Sequence, residues 1–259
     1  MSYRILLLLF VLLVGGCSTV PKTEKAVEKM PLSTIRVGSL DISSVTGRLE
    51  RKAIDSLAGM LKKEGVEVVA VQGITRYPGV RTRVDFVDEL ARRAEMRQAF
   101  GEVMNYSGRQ TGNAVLSIYP ILSSQNQPID VPASSEFAAA LHAVIDGGIV
   151  EISVVSVKLP RKGSAAEQSR RVKTIAAAEV QDAPVILAGN LPSSDEVSAA
   201  GGFERTTRNL KDLDQETLWY GTGERLRPLN GRLIKTGFGT MTLVEFELMR
   251  KDVSSPPGS

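Results

Sequence analysis

One imidazole and one thiol limit the chemistry open to this chain. His142 is the single histidine and Cys17 the single cysteine among 259 residues. That count excludes a disulfide framework and any zinc centre built from clustered Cys and His. It leaves His142 as the only histidine base for a Ser-His-Asp or Cys-His enzyme. His142 sits between Leu141 and Ala143 in an apolar run, the setting of a structural histidine. Asp212-Leu213-Asp214 brings two carboxylates close enough to hold a hard cation, although the stretch from Asn209 to Glu216 equally describes a polar loop. Asp195-Glu196 follows two serines and reads as a helix start, where carboxylates favour the N-terminal dipole. No Gly-x-x-x-x-Gly-Lys-Ser/Thr loop, dinucleotide glycine motif, Ser-x-x-Lys or His-Glu-x-x-His occurs.

Anion binding is open to Lys158 together with Arg76 and Arg109, both expected on loops. Trp219-Tyr220 beside Gly221 is either a recognition patch on a loop or packing against a sheet edge. The 32 Lys and Arg against 29 Asp and Glu give a net charge of +3 with the two signs interleaved. The longest basic runs are pairs such as Lys62-Lys63 and Arg92-Arg93, which is a mixed solvated surface and no nucleic-acid footprint. Hydrophobic residues at 42% and charged residues at 24% describe a globular protein with enough chain for a sizeable core.

Cys17 has a separate role available. Arg4 precedes ten apolar residues, Ile5 to Val14, the length of a signal-peptide core and too short to span a bilayer. The run ends Val14-Gly15-Gly16-Cys17-Ser18, which resembles a bacterial lipobox. Residues 1–16 are then a removed signal peptide. Cys17 is acylated, with palmitate-type chains, and becomes the mature N-terminus. Ser at position 18 points to the outer membrane in the Gram-negative sorting pattern. Residues 17–33 read as a tether, 34–250 as one domain and 251–259 as a frayed, disordered tail.

The elements that position the body follow from periodicity. Residues 35–42 read as a strand. Leu49 to Lys63 carries Ile54, Leu57, Ala58 and Leu61 at helical spacing and stops at Gly65. Residues 66–71 read as a buried strand and 84–96 as a helix. Strands follow at 114–117, 137–145 and 149–159, the last two joined by the hairpin signal Asp146-Gly147-Gly148. A helix over 165–180 and strands at 184–188 and towards Met249 complete the pattern. Alternating strands and helices around a central antiparallel hairpin suit an α/β sandwich of two sheets flanked by helices, in four layers.

The order of these pieces resembles the endonuclease/exonuclease/phosphatase superfamily from about Ile35 to Leu248. The resemblance rests on Val68 to Gln72, where the family's strand ends Gln-Glu, and on Gly112-Asn113-Ala114-Val115-Leu116-Ser117-Ile118-Tyr119-Pro120-Ile121. It rests also on Val154 to Leu159, on Pro184 to Gly189 before the family's Asp-x-Asn, and on the closing strand 244–248. The resemblance implies phosphate-ester hydrolysis with one or two Mg²⁺ or Mn²⁺ ions. It also implies where the catalysts should stand. The first-strand Asn is Asp41. The Glu after Gln72 is Gly73. The His before Leu159 is Lys158. Asp-x-Asn becomes Asn190-Leu191-Pro192, and Ser-Asp-His becomes Gly237-Phe238-Gly239.

The expectation is therefore a catalytically degenerate member, with Asp41, Gln72, Asn113, Lys158 and Asn190 as remnant cleft positions and no resident cofactor. Its partners would be the membrane, through the lipid, and an envelope protein, a glycan or a phosphate-bearing ligand. The alternative is a divergent Mg²⁺- or Mn²⁺-dependent phosphodiesterase or phosphatase using Asp41, Asn113, Asn190 and Asp212 or Asp214. A third reading is a structural envelope protein whose cleft is plugged by its own side chains, with Phe238 at the centre.

Overall fold

The computed structural model describes residues 31–43, 51–79, 84–129, 138–148, 150–160, 163–177, 183–191, 197, 199, 201–206, 218–221 and 225–249. The lipobox with Cys17, Asp195-Glu196, Asp212, Asp214 and the tail 251–259 lie outside them.

Two six-stranded sheets form the body. The first runs β11-β12-β1-β2-β4-β3 and the second β5-β6-β7-β8-β10-β9. The first contains β1 (Pro31–Asp41), β2 (Val68–Arg76), β3 (Arg97–Tyr106), β4 (Arg109–Ser117), β11 (Leu226–Thr236) and β12 (Gly239–Met249). The second contains β5 (Ile121–Pro128), β6 (Ala139–Asp146), β7 (Glu151–Lys158), β8 (Val185–Asn190), β9 (Phe203–Arg205) and β10 (Leu218–Gly221). Helices α1 (Arg51–Lys63) and α2 (Phe86–Ala94) cover the first sheet, and α3 (Ala165–Ala176) covers the second.

Alternation along each strand assigns the layers. Ile35 and Val37 of β1, Val115 of β4, Val154 of β7 and Phe246 of β12 meet in the core between the sheets. Leu40, Val69, Leu116 and Leu243 point the other way, onto Ile54, Leu57 and Leu61 of α1 and Leu90 of α2. Val155, Val157, Leu187 and Trp219 pack under Val172 and Ile175 of α3. Asp85 starts α2 by accepting from the amides of Val87 and Asp88, and Ser164 and Glu167 form a capping box on α3.

Several boundaries differ from the expectation. β1 begins at Pro31, three residues inside the segment expected to be tether, because Pro31 and Ser33 register with Met249 and Leu248 of β12. α2 ends at Ala94, where Glu95 turns left-handed, and α3 is described only to Ala176. Strands β3, β5, β9, β10 and β11 were not foreseen. β3, β5, β9 and β11 are edge strands, which need no continuous apolar pattern. β5 is Ser-Gln-Asn-rich and mostly exposed, and β11 carries Pro228 at a bulge. Trp219-Tyr220 is no loop patch. It lies in β10, paired with β8, with Trp219 fully buried in the core under α3.

Candidate functional site

β1, β2, β7 and β8 all run towards the same end of the sandwich, so their last residues gather there. That end holds Asp41, Gln72, Lys158 and Asn190. β4 starts there and contributes Asn113. Of Asn190 the backbone alone is described, in register with Lys158.

The floor is a polar network between the sheets. Gln72 is fully buried. Its Nε2 donates to Ser156 Oγ at 3.1 Å and to the Ala188 carbonyl at 3.2 Å, while its Oε1 accepts from Ser39 Oγ at 3.5 Å. Ser156 Oγ donates to the Val71 carbonyl at 3.3 Å. Asn113 Nδ2 donates to the carbonyls of Ala139 and Ser156, at 3.0 and 3.3 Å, and its Oδ1 accepts from Gly73 N at 3.4 Å. Each bond joins atoms that burial would otherwise strand without partners. Sequence reasoning named Gln72 and Asn113 and missed Ser39 and Ser156. Their signal was a small polar residue at an inward position near the end of an apolar strand.

The rim differs from the floor in how its described residues are engaged. Gly73 stands where the resemblance implies a carboxylate, in a left-handed conformation (φ +68°) inside the irregularity between Val71 and Ile74. A Cβ there would lie 2.4 Å from Ser43 Cβ, so neither the backbone nor the space accepts a Glu. Asp41 Oδ1 accepts from Ser43 N at 2.8 Å and has the Lys158 ammonium 3.8 Å away. Lys158 and Asp41 are both partly buried, at 16% and 29% exposure. A cation already faces the one described carboxylate, and the Asn113 oxygen is used by a backbone amide. Among the described residues, one carboxylate facing a cation and one amide oxygen already engaged do not by themselves fit a resident Mg²⁺ or Mn²⁺, which takes an octahedral oxygen shell. No group of three or more His, Cys, Asp or Glu converges among the described residues.

Other expected positions resolve differently. Phe238 forms no plug. It sits in the β11–β12 turn, and its ring packs edge-on to Phe86 of α2 at 5.3 Å, in the core under the helices. His142 is buried on β6, with Nε2 2.9 Å from Gln127 Oε1. Arg76 and Arg109 lie in strands, not loops. Arg76 is not open to an anion: Nε donates to Asp85 Oδ2 at 2.9 Å, NH2 donates to Asp88, and the guanidinium covers Phe100. A groove of about 400 Å³ lies at the opposite end of the first sheet, between Leu61, Met96 and Ile118. Of the charged groups lining it, Lys62 pairs with Glu95, and Glu67 accepts from Arg36 N and the Tyr119 hydroxyl.

No protein-family model and no curated protein matches the sequence. Solved structures match the fold. An endonuclease/exonuclease/phosphatase from Beutenbergia cavernae is 16% identical, with a TM-score of 0.64 over 83% of this chain and 72% of that one. An endonuclease/exonuclease/phosphatase family protein from Leptotrichia buccalis is 12% identical, with a TM-score of 0.65 over 83% and 100%. The human Nocturnin catalytic domain is 12% identical, with a TM-score of 0.62 over 85% and 95%. At these identities the likeness concerns the fold.

Proposed function

We propose that this endonuclease/exonuclease/phosphatase-type sandwich is a non-catalytic binding module of the cell envelope, acylated at Cys17 and held at the outer membrane facing the periplasm. One observation carries the loss of catalysis. The Lys158 ammonium faces Asp41 where the fold's hydrolases would need a divalent cation. Gly73, closed off by Ser43, supports it. Without a metal-bound water or a positioned base, each missing group costs orders of magnitude in rate. The cleft then binds a phosphate-bearing, glycan or protein ligand without turning it over. The lipobox and the lone cysteine support the anchor.

The test is hydrolysis of a chromogenic phosphodiester by the chain from Ser18 to Ser259, with Mg²⁺ and then Mn²⁺. An Asp41→Ala, Asn190→Ala double variant reports contaminating nuclease. Turnover no greater than in the double variant is the expected result. Turnover above it would replace this reading with a divergent metal-dependent phosphodiesterase. For the anchor, Cys17→Ser should move the full-length protein from the membrane fraction to the soluble one.

A further inference from the structure

The groove at the far end of the first sheet lies where the described chain begins. Its floor is apolar, with Leu61, Val66 and Met96 buried, and Ile118 stands on its rim at 42% exposure. Its charged lining is two carboxylates, Glu67 and Glu95, against one ammonium, Lys62. The Glu95 side chain is 80% exposed and meets Lys62 through Oε1. Arg36 of β1 is level with this groove, because its carbonyl accepts from Glu67 N at 3.0 Å and its own amide donates to Glu67 Oε2 at 2.7 Å. Pro31 stands five residues further out along β1, about 17 Å.

The residues just ahead of Pro31 complement that lining. Ser18 to Met30 reads Ser-Thr-Val-Pro-Lys-Thr-Glu-Lys-Ala-Val-Glu-Lys-Met, with Val20-Pro21 as its first apolar pair and three lysines against two glutamates. Residues 22–30 extend to about 30 Å, which more than covers the return of about 17 Å from Pro31 to the level of Glu67. The other end of the chain leaves alongside, since Met249 registers with Pro31. That end offers Val253 as its one large apolar side chain before Ser-Ser-Pro-Pro. Reach, apolar content and charge together favour the leading segment.

We propose that the groove seats Val20 and Pro21 of this chain's own leading segment, against Met96 and Ile118, with Lys22 beside Glu95. The seat turns a long tether into a short one. Residues 17–30 as a free chain would span about 20 Å. Seated, Cys17 stands three residues from the groove, at most about 11 Å. The groove lies at the starts of β1 and β2 and the cleft at their ends. An acyl group on Cys17 therefore holds the cleft pointing away from the bilayer. That orientation rests on the acylated-anchor reading, and the seat does not.

Disulfide trapping tests the seat, since the chain from Ser18 to Ser259 holds no cysteine. Under mild copper oxidation, Val20→Cys with Ile118→Cys should close an intramolecular disulfide about tenfold faster than Val20→Cys with Tyr106→Cys, an exposed position at the cleft end. Ile118→Glu, a change outside the buried core, should speed trypsin cleavage after Lys22 about tenfold over wild type. Equal trapping rates or unchanged cleavage would overturn the seat. So would a disulfide-linked dimer as main product, which gives the groove to a second copy, or faster trapping of Ile118→Cys by Val253→Cys, which gives it to the other chain end. For the orientation, the full-length protein sits in vesicles containing spin-labelled lipid. A dye on Thr34→Cys should be quenched and one on Tyr106→Cys should stay bright; quenching at Tyr106 would overturn the orientation alone. If Cys17→Ser leaves the protein in the membrane fraction, the anchor reading fails and the trapping result stands.

Discussion

The floor and the rim of the cleft are a few ångströms apart and obey different rules. On the floor, Gln72, Asn113 and Ser156 spend their polar atoms on backbone carbonyls and on one another across the two sheets. On the rim, Asp41 faces the Lys158 ammonium and Gly73 turns left-handed against Ser43, and neither contact is a buried amide bridging the two sheets. The difference teaches that the polarity of this end of the sandwich has a structural cause that does not depend on chemistry. A buried amide that bridges two sheets is needed for folding whether or not anything reacts above it. A carboxylate that only holds a metal has no such structural tenure.

That contrast can be broken from either side. The largest effect should come from trying to rebuild the rim. Gly73→Glu would place a side chain at φ +68° against Ser43 and should destabilise the fold by about 3 kcal/mol or more. Urea unfolding measures it. Wild-type stability together with new Mn²⁺ binding would erase the distinction drawn here. Next, Asn113→Ala should cost about 2–3 kcal/mol, since it removes three hydrogen bonds and strands buried carbonyls. A midpoint shift below a third of that would show that the floor does not hold the sheets together. Lys158→Ala, on the rim, should cost less than about 1 kcal/mol, as a partly exposed ion pair does.

A control lies far from the cleft and acts only at alkaline pH. Burial first, then the hydrogen bond to Glu67 and its charge, push the Tyr119 hydroxyl up to about 12 from 10.0. The folded state therefore keeps this proton longer than the unfolded chain. The resulting stability is fully present below pH 10 and is lost as pH rises from 10 to 12. Tyr119→Phe should flatten that part of the stability–pH curve relative to wild type and leave the cleft untouched. An unchanged slope would place the alkaline transition elsewhere.

Much of the central sandwich was legible because central strands and packed helices repeat their apolar residues. Val68 to Val71 and Ile54, Leu57 and Leu61 announce themselves by periodicity. β5 and β11 do not, since an edge strand faces water along much of its length. At the site, residue identities and motif order placed Asp41, Gln72, Asn113, Lys158 and Asn190 near one end of the sandwich, where the strand ends gather. They could not tell that Gln72 and Asn113 reach across to the second sheet, because that contact links residues 26 to 116 positions apart.

The sequence by itself determined the sandwich architecture and the single histidine, set inside an apolar run, because those depend on local order and composition. Only the tertiary structure decided that Ser43 fills the place above Gly73, that Phe238 turns into the helical layer, and that Gln72 and Asn113 reach across to the second sheet. Each of these is a meeting of strand ends and turns brought together by sheet pairing, and no spacing along one chain encodes where two sheets will meet.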